Sequence, residues 1–288
     1  NVDPNQITIG NGSNDLIEFV SRCFLGEGKK AIYSQHGFAI YPLAIKATGA
    51  VPVKSKAKNW GHDLELMSDL IDDKTKVIFI ASPNNPTGTA KTLLEIKDFL
   101  NNLPDDILVF LDQAYYEYIE GSEFDIPFSL IDDHPNLVIS RSFSKAHGLA
   151  ALRLGFCVSS LELSDYLNRV RQPFNANSLA LDLGKVALSD QEHISKSVKI
   201  NSSGMDRVKK AFTSLDYDFI ESWGNFISFD AKQDSDIAFQ YFLEKGVILR
   251  SLKVYEMPHH LRVSIGTEEE MDFFLQVLED YEKDLSKK

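Results

Sequence analysis

This sequence of 288 residues has few cysteines and no long apolar run. Two cysteines are too few for a disulfide framework or a thiolate metal site, so we expect Cys23 in a helix and Cys157 in a strand to be reduced core residues. No stretch approaches the roughly 20 consecutive apolar residues of a membrane span, and no charged-then-apolar leader opens the chain. We therefore expect no membrane association and a location in the cytoplasm.

Basic residues are fewer than acidic ones. The 30 Lys and Arg stand against 42 Asp and Glu, and the formal net charge of −12 argues against a nucleic-acid partner, which would need clustered basic side chains. A small anionic ligand needs only a local basic pocket. The seven histidines show no spacing typical of metal ligands, and the G-x-S-x-G motif of serine hydrolases does not occur, so these two enzyme classes are disfavoured.

Lys145 lies in a loop of Ser, Ala and Gly between two apolar runs that we predict to be strands. A lysine in a loop is usually exposed to water. Here, however, Ser142, Ser144 and Arg153 place two hydroxyls and a planar cation nearby, and such donors would hold a phosphate dianion. Partial desolvation would favour the neutral amine, the form that condenses with a carbonyl. The neighbours therefore favour a functional lysine over a solvated one.

The string S-F-S-K followed by G-L-A-x-L-R-x-G resembles the lysine segment of pyridoxal-phosphate (PLP) aminotransferases of fold type I. More narrowly, it is similar to the segment of histidinol-phosphate aminotransferases. The resemblance implies that PLP is the cofactor, that Lys145 bonds to it covalently, and that Ser142, Ser144 and Arg153 hold its phosphate. It also implies that Lys145, once the amino substrate has released it, is the catalytic base at the α-carbon.

A glycine-rich turn, Gly10–Asn14, precedes apolar residues at helical spacing, so we predict a helix with Ser13 or Asn14 as its N-cap that runs to about Leu25. Free amides at a helix start suit a phosphate, although a plain turn is the commoner meaning of such a string. The family resemblance assigns Ser13 and Asn14 to the PLP phosphate. It also places Phe38, otherwise a core aromatic, against the pyridine ring, where stacking contributes about 0.5–1.5 kcal/mol.

Two uninterrupted apolar runs predict strands buried on both faces of a parallel sheet. The first ends at S-P-N-N-P-T-G and the second at D-Q-A-Y, and ligands of open α/β sheets gather at such strand ends. Alone, each string would be an ordinary turn or cap. The resemblance implies that Asn85 and Tyr115 contact the phenolic oxygen of PLP and that Asp112 pairs with its pyridine nitrogen. The family's usual Glu after the Asp is Gln113 here, which flanks Asp112 and does not replace it.

Two arginines stand out in the C-terminal part of the chain: Arg250 in G-V-I-L-R and Arg262 in H-L-R-V-S-I-G. An arginine in a strand usually lies on a solvated face. The resemblance implies instead that both grip the anionic tail of the substrate. The string R-Q-P-F-N-x-N-S matches the family too, and there Asn175 and Asn177 are either site contacts at a dimer interface or parts of a surface turn.

With 43% hydrophobic and 11% aromatic residues, the chain can bury a substantial core and is long enough for two domains. We predict an α/β protein of fold type I. Its large PLP-binding domain, 1–190, has a mostly parallel sheet flanked by helices, and its small C-terminal domain, 191–288, is α+β. Capping boxes at Ser189–Glu192 and Thr267–Glu270 predict the starts of the linking helix and of the last helix. The chain does not begin with Met, and we expect the family's N-terminal segment to be missing.

The resemblance implies transamination of L-histidinol phosphate with 2-oxoglutarate in histidine biosynthesis, by a homodimer without nucleic-acid or membrane partners. Related enzymes act on aromatic amino acids or decarboxylate a threonine phosphate, and kinship of fold does not choose between them. Two other hypotheses are a truncated PLP-binding protein with little activity and a non-catalytic ligand-binding module. The second is disfavoured because the sequence has no recognisable DNA-binding segment or basic extension.

Overall fold

The computed structural model describes residues 2–287, in which strands and helices alternate along the chain. The strands are β1 (Ile7–Gly10), β2 (Lys30–Ser34), β3 (Val51–Ser55), β4 (Thr75–Ala81), β5 (Leu108–Asp112), β6 (Leu137–Ser142), β7 (Gly155–Val158), β8 (Phe219–Ile220), β9 (Phe226–Asp230), β10 (Arg250–Ser251) and β11 (His260–Ser264). The helices are α1 (Ser13–Phe24), α2 (Ile40–Ala47), α3 (Leu64–Asp69), α4 (Leu93–Asn101), α5 (Leu130–Asp133), α6 (Leu161–Val170), α7 (Ser178–Ser189), α8 (Gln191–Ser214), α9 (Ser235–Glu244) and α10 (Glu268–Leu285).

Seven strands form one large sheet in the order β1-β7-β6-β5-β4-β2-β3. The five strands from β6 to β3 run parallel to one another, whereas β7 is antiparallel to both of its neighbours. In the register, Ala81 pairs with Asp112, and Asp112 pairs with Ser140. The C-terminal ends of β4, β5 and β6 therefore meet at one edge of the sheet. The predicted α/β fold with a mostly parallel sheet is confirmed.

The large sheet is buried on both faces, which explains why its central strands are apolar without interruption. Successive side chains of β4 lie on opposite faces of the sheet. Phe79 packs with Leu16 of α1 and Tyr41 of α2, whereas Ile80 packs on the other side with Ile96 of α4. Because strand side chains alternate, both of these apolar layers require apolar residues at consecutive positions of the strand.

The C-terminal part of the chain has its own antiparallel sheet, in the order β10-β11-β9-β8. Four phenylalanines, Phe212, Phe229, Phe242 and Phe274, join this sheet to α8, α9 and α10 in a separate core. The predicted boundary near residue 190 coincides with the junction between α7 and α8, and the division of the chain into two domains there stays a prediction.

Several local predictions were wrong. The N-cap of α1 is Gly12, not Ser13 or Asn14. Helix α8 is capped by Asp190, whose carboxylate accepts a hydrogen bond from the His193 amide at 3.0 Å, so Ser189 is not the N-cap and the predicted capping box with Glu192 is wrong. The capping box at the start of α10 is confirmed.

Strand β10 is only two residues long, and helix α7 was not predicted from the sequence. Within residues 2–287, no helix combines the length and the apolar character needed to cross a membrane. Both cysteines are free thiols, and Cys157 lies in the core as predicted, whereas Cys23 is only partly buried and packs against that core.

Candidate active site

The residues predicted to hold the cofactor surround a single cavity of about 220 Å³ at the C-terminal edge of the large sheet. They come from the start of α1, the segment before α2, the loops after β4 and β5, and the end of β6 with the loop that follows. The predicted residues that line the cavity are Ser13, Asn14, Phe38, Asn85, Asp112, Tyr115, Ser142, Ser144, Lys145 and Arg153. The fold thus brings together segments that are far apart in the sequence, and the roles of these residues stay predictions.

The start of α1 forms the cationic end of this cavity. Its N-cap is Gly12, with φ of +81°, and since glycine has no side chain the first amides of the helix are left to a ligand. A Cβ on Gly12 would lie 2.2 Å from Nη2 of Arg153, so the guanidinium lies directly against the turn. A Cβ on Gly155 would lie 2.7 Å from the Ser13 nitrogen, which explains the glycine where β7 passes α1. The first amides of α1, the Ser13 hydroxyl and the Arg153 guanidinium all lie at this end of the cavity, and together they suit an anion.

Lys145 lies in a tight turn that follows β6. Its carbonyl accepts a hydrogen bond from the Gly148 amide at 2.9 Å, and Gly148 has φ of +71°. One residue earlier, the Ser144 amide donates to the Ser142 hydroxyl at 3.1 Å. The partly buried Lys145 amine lies 4.8 Å from the centroid of the Tyr115 ring. The turn therefore holds the amine beside the tyrosine predicted to contact the same ligand.

Asp112 ends β5 and is 6% exposed. Its Oδ1 accepts hydrogen bonds from the Ser140 hydroxyl at 3.2 Å and the Ala114 amide at 3.1 Å, and its Oδ2 accepts one from the Tyr41 hydroxyl at 3.2 Å. Burial raises the pKa of Asp112 above its usual range, while these three donors act in the opposite direction. A buried carboxylate with this support is suited to pairing with a cation in the cavity.

The loop after β4 connects the cavity to the small sheet. The Arg262 guanidinium donates a hydrogen bond to Oδ1 of Asn85 and lies 4.8 Å from the centroid of the Phe226 ring. The Ser228 hydroxyl donates to the Pro86 carbonyl at 2.6 Å and anchors the same loop. Burial lowers the pKa of Arg262, yet a guanidinium stays charged in proteins. Arg262 thus places a cation beside a residue that lines the cavity.

The other predicted substrate arginine lies elsewhere. Arg250 is directly opposite Arg262 in the β10–β11 pair, but its side chain is exposed and lines a separate cavity with Asp236 and Lys253. The structure therefore does not bring Arg250 into the site cavity, and its role stays a prediction.

The two asparagines of the R-Q-P-F-N-x-N-S string have structural partners. The Asn175 amide group donates to the Ile9 carbonyl at 3.0 Å, and Asn177 caps α7 by accepting a hydrogen bond from the Ala180 amide at 2.8 Å. Of the two alternatives left open for these residues, the geometry favours a turn and a helix cap.

Tyr41 and Ser140, which support Asp112, are absent from the sequence prediction. Ser140 follows three apolar residues of β6 and is fully buried, and a buried hydroxyl needs a partner. Tyr41 is the one tyrosine of α2 and is fully buried, so its hydroxyl also requires an acceptor. These two signals point to polar partners but do not say which ones.

The model of the family "Aminotransferase class I and II" matches residues 1–278 of the chain. Among curated proteins, histidinol-phosphate aminotransferase 2 of Pseudomonas aeruginosa is 48% identical over 277 residues, covering 96% of this chain and 75% of that protein. The protein of the same name from Haemophilus influenzae is also 48% identical, covering 96% of this chain and 76% of its own length.

Solved structures show the same fold. Histidinol-phosphate aminotransferase from Sinorhizobium meliloti, in complex with pyridoxal-5'-phosphate, superposes with a TM-score of 0.92 at 24% identity, covering 98% of this chain and 78% of that one. A putative histidinol-phosphate aminotransferase from Erwinia carotovora has a TM-score of 0.92 at 21% identity, with coverage of 97% and 82%.

Proposed function

We propose, from the premise that the chain belongs to the class I and II aminotransferase family, that it transfers the amino group of L-histidinol phosphate to 2-oxoglutarate with PLP as its cofactor. The family predicted from the motifs is confirmed by the family model and by relatives at 48% identity. The identity to histidinol-phosphate aminotransferases over 96% of the chain is the observation that carries the choice of substrate. The reaction would belong to histidine biosynthesis. The cytoplasmic location stays a prediction.

The cavity fits PLP by its chemistry. At one end, the first amides of α1 and the guanidinium of Arg153 suit a phosphate dianion. Arg153 lies so close to Gly12 that a Cβ at position 12 would not fit between them. Asp112 presents a buried carboxylate suited to a protonated pyridine nitrogen. Lys145 lines the same cavity, where its amine would condense with the aldehyde of the cofactor.

Each residue around the cavity would have a distinct role. Bound PLP supplies an electron sink for the electron pair that is left when the Cα–H bond of the amino donor breaks. Lys145 would hold the cofactor covalently and then move the proton at that α-carbon. Asp112 would keep the ring nitrogen protonated, and Tyr115 and Asn85 would donate hydrogen bonds to the phenolic oxygen. Phe38 would cover one face of the ring and restrict its orientation.

Substrate recognition requires cations, because both proposed substrates are anionic. Arg262 places a cation beside the cavity through its contact with Asn85, and its burial strengthens the interaction with a phosphate or carboxylate. Arg250, which is exposed on the neighbouring strand, is proposed as a second contact that a longer substrate tail would reach.

The proposed substrate can be tested by single turnover. Protein loaded with PLP would be mixed with L-histidinol phosphate or, separately, with phenylalanine, and the keto product followed by mass spectrometry. We expect conversion of histidinol phosphate, and formation of glutamate when 2-oxoglutarate is then added. Conversion of phenylalanine alone would identify an aromatic amino acid aminotransferase instead. Covalent PLP without conversion of either donor would indicate a PLP-binding protein of little activity.

We also propose a homodimer, supported by an apolar surface on α7. The buried side of this helix packs closely, since a Cβ on Gly184 would lie 2.4 Å from Leu154. Its outer side exposes Leu179, Leu183 and Val186, at the spacing of one helix face. Phe174, just before the helix, is 97% exposed. Several exposed apolar side chains on one helix face are typical of an interface.

A charge on this surface is expected to weaken the dimer. Val186→Glu would place a carboxylate in the proposed interface and raise the dimer dissociation constant by at least about tenfold, which sedimentation velocity would measure. Leu94→Glu is a matched control, because Leu94 is equally apolar and exposed on α4. A wild-type chain that is monomeric at all concentrations would refute the proposed dimer.

The close contact between Gly12 and Arg153, at the cationic end of the cavity, gives a further prediction. Gly12→Ala is expected to weaken binding of PLP about 10- to 100-fold, because the new Cβ displaces the Arg153 guanidinium and costs it a charged hydrogen bond. Gly28→Ala is the matched control. Gly28 has a similar φ of +80°, but the Cβ would meet nothing within 4 Å, so the variant carries the backbone strain alone. Equal affinities of the two variants for PLP, by equilibrium titration, would contradict the predicted role of this turn.

A further inference from the structure

Two hydroxyls outside the predicted site contact the carboxylate of Asp112. Tyr41 reaches Oδ2 from α2, and Ser140 reaches Oδ1 from β6, each at 3.2 Å. Both residues are 0% exposed, so water does not compete for these hydrogen bonds. We infer that Tyr41 and Ser140 are positioning residues whose hydroxyls hold the Asp112 carboxylate ionised and aimed at the ring nitrogen of the bound cofactor. This inference rests on the proposed function.

The elements that carry the two hydroxyls fix their direction. Ser140 lies directly opposite Asp112 in the parallel pairing of β5 and β6. The Tyr41 ring is stacked on Phe79 at 5.0 Å between centroids and 15° between planes, and it meets the edge of Phe38 at 5.9 Å. Tyr41 therefore contacts both the carboxylate and the aromatic ring that are proposed to hold the pyridine.

The pattern of donors also distinguishes the two carboxylate oxygens. Oδ1 accepts two hydrogen bonds, from Ser140 and from the Ala114 amide, which fill its in-plane acceptor positions. Among the described residues, Oδ2 accepts a hydrogen bond only from Tyr41, so one of its acceptor positions is still available. The remaining position on Oδ2, the oxygen that also accepts from Tyr41, is the one that a ring N–H would take.

Tyr41 is suited to donate in this position. Burial and the neighbouring Asp112 carboxylate raise the pKa of Tyr41 well above its usual range, so the hydroxyl keeps its proton. A hydrogen bond to a carboxylate stabilises the charged form and lowers its basicity. The proton shared by Asp112 and the ring nitrogen then stays on the nitrogen, where it makes the ring a better electron acceptor.

Removing these donors should move that proton toward the carboxylate. In Tyr41→Phe, which keeps the ring stacked on Phe79, we expect the ¹⁵N resonance of bound, ¹⁵N-labelled PLP to shift toward that of an unprotonated pyridine. We expect kcat to fall about 10- to 100-fold, with KM for the amino donor nearly unchanged. Ser140→Ala should shift the resonance in the same direction, and it tests the inference independently if Tyr41→Phe does not fold.

Tyr281→Phe provides the matched control. Tyr281 is also a buried tyrosine, and its hydroxyl donates to the Ala231 carbonyl at 2.7 Å in the core of the small sheet. This variant should lose comparable stability and leave the ¹⁵N resonance where it is in the wild type. If the labelled PLP is attached to Lys145 and the resonance is unchanged in both Tyr41→Phe and Ser140→Ala, this inference is overturned but the proposed function is not. Wild-type protein that attaches no PLP would overturn the proposed function as well.

Discussion

Replacing Lys145 with alanine is expected to abolish covalent attachment of PLP and to lower turnover by at least about 10⁴-fold. The cavity lining offers this single amine, at 4.8 Å from the centroid of the Tyr115 ring. Without it, the chain loses both the group that bonds to the cofactor and the base that moves the proton at the α-carbon. Borohydride reduction followed by peptide mass spectrometry measures the attachment, and the overall transamination rate measures the turnover.

Two other variants separate this effect from a loss of charge or of structure. Lys145→Arg keeps a cation in the cavity, but a guanidinium does not deprotonate, so it should be as inactive as the alanine variant. Lys97→Ala removes an exposed lysine from α4 and should leave attachment and rate as in the wild type. Attachment of PLP to a lysine other than Lys145 in the wild type would refute the assignment.

The parts of the site that the sequence predicts are those in which a short string determines its own conformation. The turn at Gly12 requires a left-handed residue, and the loop after β4 combines Asn, Pro and Gly, so these segments are specified locally. Their meeting in one cavity follows from the parallel sheet, because strands of one direction end at the same edge. Lys145, Asp112 and Asn85 lie at or shortly after the ends of such strands, and the family resemblance assigned them to one site.

The support of Asp112 could not be predicted in this way. The contact of Tyr41 with Asp112 joins residues 71 positions apart, and it depends on how α2 packs on the sheet. The direction of the Arg250 side chain could not be predicted either. Strand β10 has only two residues, so its contacts with neighbouring elements decide where its side chains point. Helix α7 was not predicted for a different reason. Its buried side is apolar, and so is the exposed side that carries Leu183 and Val186. Its sequence therefore lacks the amphipathic pattern of a surface helix.

Asp112→Asn is expected to lower kcat about 10²- to 10³-fold while PLP still attaches to Lys145. Asparagine has nearly the shape of aspartate and can still accept the hydrogen bonds of Ser140 and Ala114, so the fold of the site should persist. It has no negative charge, however, and cannot keep the ring nitrogen protonated. A variant with nearly wild-type kcat would contradict the role proposed for Asp112. Asp105→Asn, at an exposed position before β5, is the control for a general loss of negative charge.

The same substitution should make the cofactor-free protein more stable, and the gain should depend on pH in a definite direction. Burial raises the pKa of Asp112 from the value of 3.8 that an unperturbed Asp has, so the ionised carboxyl disfavours the folded state. That penalty is absent below pH 3.8 and complete once the pH exceeds the raised pKa of the folded protein. The melting temperature of Asp112→Asn minus that of the wild type should therefore increase as the pH rises from about 4 toward about 7. A difference that is independent of pH over this interval would mean that the three donors compensate fully for the burial of the carboxylate. The site would then hold its negative charge without cost to stability, and only the loss of kcat would distinguish the variant from the wild type.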